Sequence, residues 1–158
     1  MDLYLLRHGI PVETRDWKGD DAHRPLSEDG VARMQRQAQA LHRLGVELDV
    51  IVTSPLVRTV QTAEIVAREL GKLSALIKDE RLQPGMGLGQ LQDILRDHAS
   101  SGSLMLVGHD PDFTHAVCAL AGGARLVMKK GGLARLELES TDSLDASLIW
   151  LAPPEMLL

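Results

Sequence analysis

Three short apolar runs constrain the fold of this chain more than any other feature: Leu3-Tyr4-Leu5-Leu6, Val50-Ile51-Val52 and Leu104-Met105-Leu106-Val107. A strand that is apolar at every position must be covered on both faces, which is the pattern of parallel strands with helices above and below. Helical patterns fill the intervals. Val31, Met34, Ala38, Leu41 and Leu44 form a stripe at helical spacing, with Ser27 as its N-cap and Gly45 at its end. Leu56, Val60, Ala63, Ala67 and Leu70 form a second, with Ser54 read as the cap and Pro55 at the first helical position. Leu88 to Ala99 reads as a third helix, and Phe113, Val117 and Leu120, after Asp110-Pro111, as a fourth. Ala75 to Lys78 reads as a short strand. Ala134, Leu136 and Leu138 alternate with Arg135, Glu137 and Glu139, which predicts a half-exposed antiparallel strand, and Leu148 to Leu151 closes the sheet. The expected fold class is α/β, a three-layer sandwich. Its central sheet is mostly parallel with an antiparallel edge strand, and helices lie on both faces. With 158 residues and no linker, repeat or low-complexity segment, residues 1–158 read as one domain.

The residues that end these runs carry the chemistry. The first run stops at Arg7-His8-Gly9, the second leads through Ser54-Pro55 to Arg58, and the third ends at Gly108-His109. In open α/β sheets, ligands bind beyond the carboxyl ends of the strands, so all three segments are expected on one face. Arg58 falls in the first turn of its helix, near the positive end of the helix dipole. Two arginines and two histidines gathered there suit a phosphoryl group. A neutral imidazole can attack phosphorus through one nitrogen while the other donates to a carbonyl, and His8, beside the Gly9 turn, is the candidate nucleophile. Arg7, Arg58 and a protonated His109 would stabilise the equatorial oxygens. Water would then cleave a phosphohistidine formed on His8. These side chains supply the positive charge, so neither a metal nor another cofactor is called for.

Composition narrows the classes of partner. A net charge of -5 argues against nucleic-acid binding, although it leaves room for one cationic pocket. No run approaches the ~18 apolar residues of a membrane span. Cys118 is the single cysteine, so no intrachain disulfide can form, and the first residues lack the pattern of a signal peptide. The expected location is therefore the cytoplasm. Cys118 also does not make a cysteine phosphatase loop, which needs five residues between Cys and Arg where six precede Arg125. Asp49-Val50-Ile51 lacks the second aspartate of a dehalogenase-type motif, and Gly85 to Gly89 has neither Walker nor dinucleotide spacing. His23, His42, His98 and His115 lack metal-ligand spacing and read as surface residues, while Arg24 could touch phosphate or pair with a loop carboxylate, and the second role is favoured.

Taken together, Arg7-His8-Gly9, Ser54-Pro55 with Arg58 and Gln61-Thr62-Ala63, and Gly108-His109 resemble the histidine phosphatase superfamily, also called phosphoglycerate mutase-like, in order and spacing. The small size, Arg24-Pro25-Leu26-Ser27 and Lys130-Gly131-Gly132 are similar to the SixA-type phosphohistidine phosphatases. The resemblance implies a phosphoglycerate mutase-like fold and His8, Arg7, Arg58 and His109 as the catalytic set, with Arg7, Arg58 and His109 on the phosphate. It also implies a phosphohistidine-bearing phosphorelay protein as partner. Larger members place a glutamate acid after the third strand, where this chain reads Arg81-Leu82-Gln83-Pro84-Gly85, with Glu80 just before it. An alkoxide needs such an acid, its conjugate acid lying near ~15.7 as for water. Imidazole, with a conjugate acid near ~6.5, needs less help. An acid could instead come from Glu13, Asp16, Asp20 or Asp21 in the long loop between Ile10 and Pro25. Two other readings stand beside this one. The first is a small-molecule phosphomonoesterase or mutase of the same superfamily. The second is a non-catalytic module that binds phosphorylated ligands.

Overall fold

A computed structural model describes residues 1–158. Six strands form one sheet: β1 (Asp2–Arg7), β2 (Val50–Thr53), β3 (Leu76–Lys78), β4 (Ser103–Gly108), β5 (Leu133–Leu138) and β6 (Ala146–Ala152). Their spatial order is β3-β2-β4-β1-β5-β6. The first four are mutually parallel, β5 runs antiparallel to β1, and β6 runs antiparallel to β5. The antiparallel strand therefore lies one place inside the edge, with β6 outside it. Four helices cover the sheet: α1 (Glu28–Arg43), α2 (Val57–Glu69), α3 (Leu88–Asp97) and α4 (Asp112–Leu120). None of them is long and apolar enough to cross a membrane.

Strand periodicity divides the core in two. Successive side chains of a strand point to opposite faces. Leu3 and Leu5 of β1, with Leu104 and Leu106 of β4, join a cluster containing Leu91, Ile94 and Leu95 of α3 and Phe113, Ala116 and Val117 of α4. Tyr4 and Leu6, with Met105 and Val107, join the other cluster, with Met34, Ala38 and Leu41 of α1 and Ala63, Val66 and Ala67 of α2. Burying a Leu, Ile or Val side chain contributes roughly 1.5–3 kcal/mol, so these central strands anchor the fold. The three layers follow directly: α1 and α2, the sheet, then α3 and α4.

Local signals hold in some places and yield in others. Ser27 caps α1, its Oγ accepting from Gly30 N–H at 3.0 Å. Leu44, the last member of the α1 stripe, stands one residue beyond the helix as its C-cap and is 65% exposed. Ser54 is not the cap of α2. That helix starts at Val57 after Leu56, and the Ser54 hydroxyl accepts from Leu56 N–H at 3.4 Å and lies 2.8 Å from His109 Nε2. Asp110 also stands ahead of its helix, which begins at Asp112, but its carboxylate still accepts from Thr114 N–H at 3.3 Å.

Candidate active site

The parallel strands β2, β4 and β1 are neighbours, and each delivers one segment to the same end of the sheet. The ladder runs one residue past β1 and one past β2: His8 N–H donates to Gly108 O at 3.0 Å, and Ser54 N–H to Val107 O at 3.0 Å. His8 and His109 thus arrive with ring centroids 5.5 Å apart. Thr62 of α2 accepts from Gly9 N–H at 3.1 Å, which fixes the turn after His8 to the helix that carries Arg58. Gly131 closes the site from behind. Its N–H donates to His8 O at 2.9 Å, and its φ of +78° is one that a glycine adopts without strain.

Arg7, His8, Arg58 and His109 line one pocket of about 340 Å³, together with Pro11, Glu13, Thr14, Asp21, Arg24, Pro84, Asp110 and Lys130. All four sequence-predicted residues meet. Of the loop carboxylates, Glu13 and Asp21 reach the pocket, whereas Asp16 and Asp20 are exposed outside it. Glu80 is exposed and bonded to Gln83, away from the pocket lining. His23, His42 and His115 are exposed, and His98 is half-buried. Arg24 bonds to the loop carboxylate of Asp21 at 2.9 Å and to Val12 O at 2.8 Å, and it also lines the pocket.

Hydrogen bonds set the chemistry of each group. His8 Nδ1 lies 2.7 Å from Gly9 O, and a carbonyl can only accept, so Nδ1 carries the proton and Nε2 holds the lone pair. Burial first, then the charges of Arg58, Arg7 and Lys130, push the His8 pKa down to about 4, outweighing the Gly9 bond. His109 Nε2 lies 2.8 Å from Ser54 Oγ, which orients the ring and leaves Nδ1 without a protein partner. Its pKa falls to about 3, chiefly through burial and then through His8 and Arg58. In the free pocket burial, His8, Arg58 and Arg7 outweigh the Asp21 carboxylate and keep the ring neutral, whereas the sequence reading has it protonated around a phosphoryl group.

The arginines are held but not saturated. Arg7 Nη1 donates to Met128 O at 2.6 Å and lies 3.6 Å from Asp110. Arg58, 5% exposed, donates through Nη1 to Asp21 O at 2.9 Å and through Nη2 to the Asp21 carboxylate at 3.1 Å. The Nε–H groups of Arg7 and Arg58 are both buried and have no partner. An unsatisfied buried donor costs about 1–3 kcal/mol, more for a charged group. Hydrogen bonding from Arg24 leads the effects that hold the Asp21 carboxyl below the usual carboxylate range, so Asp21 is an anion and acts as an orienting group. Asp112 steadies another wall. Its carboxylate accepts from Gly85 N–H at 2.8 Å and Met86 N–H at 3.2 Å, holding the segment that presents Pro84. Asp21 was visible in the sequence only as one loop acid among several, and nothing local marked Ser54 as the partner of His109.

The family model for the histidine phosphatase superfamily, branch 1, matches residues 3–120. The chain belongs to this superfamily. An uncharacterised protein of Picosynechococcus is 36% identical to this superfamily member over 171 residues, covering 100% of this chain and 99% of its own. Among solved structures, the protein histidine phosphatase SixA, complexed with tungstate, superposes with a TM-score of 0.89 at 24% identity, covering 100% of both chains. A mycobacterial glucosyl-3-phosphoglycerate phosphatase follows the same fold, with a TM-score of 0.75 at 17% identity over 96% of this chain and 99% of that one.

Proposed function

We propose that this protein is a phosphatase that hydrolyses phosphohistidine on a signalling protein through a phosphohistidine formed on its own His8. The observation that carries the reading is the convergence of Arg7, Arg58 and His109 on one pocket, beside an imidazole whose Nε2 lone pair is free. His8 Nε2 attacks phosphorus, and the substrate P–N bond breaks. The substrate phosphohistidine reacts with its other ring nitrogen already protonated, so its imidazole takes that electron pair and leaves as a neutral ring. Water then attacks the phosphorus on His8, the bond to Nε2 breaks, and phosphate leaves with both protons of that water. Arg7, Arg58 and His109 Nδ1 hold the phosphoryl oxygens in both steps, where charge stabilisation dominates. Bound phosphate adds negative charge beside His109 and so favours its protonation.

Two considerations support a P–N substrate. The Arg81–Gly85 segment brings no carboxylate to the pocket, and the loop acid Asp21 is committed to Arg24 and Arg58. Similarity to SixA, a protein histidine phosphatase, points the same way. Glu13 also lines the pocket and keeps the phosphomonoesterase reading testable. Wild-type enzyme is offered a phosphohistidine protein beside a panel of sugar phosphates and other phosphoesters. A higher kcat/KM on the P–N substrate is expected. Efficient turnover of sugar phosphates alone would replace this reading with the phosphomonoesterase one.

The acid limb of the pH profile gives a separate check. Protonated His8 has no lone pair on Nε2, so kcat/KM of the free enzyme should fall as pH drops through the His8 value of about 4. An unburied imidazole would place the limb near ~6.5. The measurement needs an acid-stable phosphoester, and a limb near the ordinary histidine value would contradict a buried, neutral His8.

A further inference from the structure

The segment between α4 and β5 runs past the mouth of the pocket, and its side chains divide into two sets. Met128 is fully buried, and Leu126 packs on the core cluster of α3 and α4. Val127, between them, is 74% exposed, and Arg125, Lys129 and Lys130 are exposed with it. The alternation is pinned by Met128, whose carbonyl accepts from Arg7 Nη1 at 2.6 Å and whose N–H donates to Thr114 Oγ1 at 3.2 Å. Val127 therefore points outward because its two neighbours are fixed inward. Lys129 pairs with Glu155 at 3.6 Å, but neither Arg125 nor Lys130 has an acidic partner or a side-chain hydrogen bond within the chain. Lys130 lines the phosphate pocket itself.

Geometry relates this strip to whatever enters the pocket. Three residues of chain reach at most about 11 Å, and five about 18 Å, which bounds how far Val127 and Arg125 lie from Lys130. A typical protein interface buries ~800 Å² per partner, a patch roughly 16 Å in radius. A protein that places a phosphorylated side chain in the pocket thus has Val127 inside such a patch and the long Arg125 side chain at its margin. A free phosphorylated metabolite touches neither.

Resting on the phosphohistidine reading above, we infer that Arg125 and Val127 form a docking strip for the phosphorylated protein, fitting an acidic surface with an apolar side chain beside its phosphohistidine. The net charge of the whole molecule is -5, so Lys130 in the pocket lining and Arg125, five residues back along the strip, act locally, steering an acidic face toward the site. Val127 supplies the apolar contact at which such an interface excludes water. Lys130 stays with the phosphate.

The test compares two substrates with the same scissile bond: phosphoimidazole, and a phosphotransfer protein with acidic side chains beside its phosphohistidine. Arg125→Glu and Val127→Asp change exposed side chains, and unchanged melting temperatures confirm intact folds. Each variant should lose about tenfold in kcat/KM on the protein and keep wild-type kcat/KM on phosphoimidazole. Raising the salt concentration should weaken the wild type more on the protein than on phosphoimidazole and narrow its advantage over Arg125→Glu. Equal losses on both substrates, or no loss on the protein, would overturn the strip while leaving the phosphohistidine reading intact. A wild type that cleaves phosphoimidazole but not the phosphoprotein would overturn that reading and the strip with it.

Discussion

His8→Ala is expected to lose turnover on every substrate, by on the order of 10⁴-fold or more, while still binding inorganic phosphate. The size of the loss follows from the role, since removing the atom that forms the covalent bond deletes the pathway and leaves only positioning and charge. Retained binding follows from the neighbours. The guanidinium groups of Arg7 and Arg58 are held by Met128 O, Asp110 and Asp21, none of which depends on the His8 ring. Single-turnover labelling with a ³²P-labelled substrate should show an acid-labile phosphoenzyme in the wild type and none in the variant. The variant should also move the titration of His109. His8 is second only to burial in depressing the His109 pKa, so its removal raises that value, which histidine NMR can follow. Turnover surviving in His8→Ala would remove His8 from the nucleophile position. A variant that neither turns over nor binds phosphate would point to a collapsed pocket instead.

How much of this could be read from the sequence depends on how local each signal is. The three apolar runs announced buried parallel strands because a two-faced strand leaves no alternative cover, and β1, β2 and β4 formed around them. The ends of those strands are where the fold exposes backbone to a ligand. Arg7, His8, Arg58 and His109 therefore converge on one pocket although far apart in the chain. Placing β5 one strand in from the edge required knowing its partner, and alternation in Ala134 to Glu139 reveals only which face is covered. Ser54 shows the limit more sharply. Ser-Pro is a strong local start signal, but the hydroxyl has a competing tertiary partner in His109, and the helix begins at Val57. The charge state of His109 was also beyond reach, because it depends on burial and on which cations stand nearby. Asp21 lies in a loop without periodicity, so its hold on Arg58 became visible only in three dimensions.

Gly30→Ala is expected to destabilise the fold, against the local rule. Within a helix, alanine is favoured over glycine by about 1 kcal/mol, so propensity alone predicts a gain in α1. Contact geometry decides otherwise. A Cβ at Gly30 would sit 2.0 Å from Ile10 O and 3.0 Å from Ile10 C, with Ser27 Oγ at 3.2 Å. The two nearest atoms are backbone and cannot rotate away. The same Ile10 carbonyl already accepts from Ser27 N–H at 3.0 Å and from Ser27 Oγ at 3.2 Å, so retreat from the new methyl strains the N-cap as well. Overpacking of this kind costs about 1–3 kcal/mol, or more where backbone must move. At this chain length, each kcal/mol shifts the melting temperature by roughly 2–4 °C, so a fall of several degrees is expected in thermal unfolding. Activity should fall with it, because Ile10 follows Gly9 directly and its displacement pulls on the turn that holds His8. Gly89→Ala is the matched control. It lies in α3, where a Cβ would meet nothing within 4 Å, so its effect should range from neutral to a gain of up to about 1 kcal/mol. Opposite signs at the two positions would show that the close approach of α1 to Ile10, and not glycine's flexibility, is what Gly30 provides. The same stabilising sign at both would mean that α1 does not butt against Ile10 as described, and that the turn behind His8 has room it does not show.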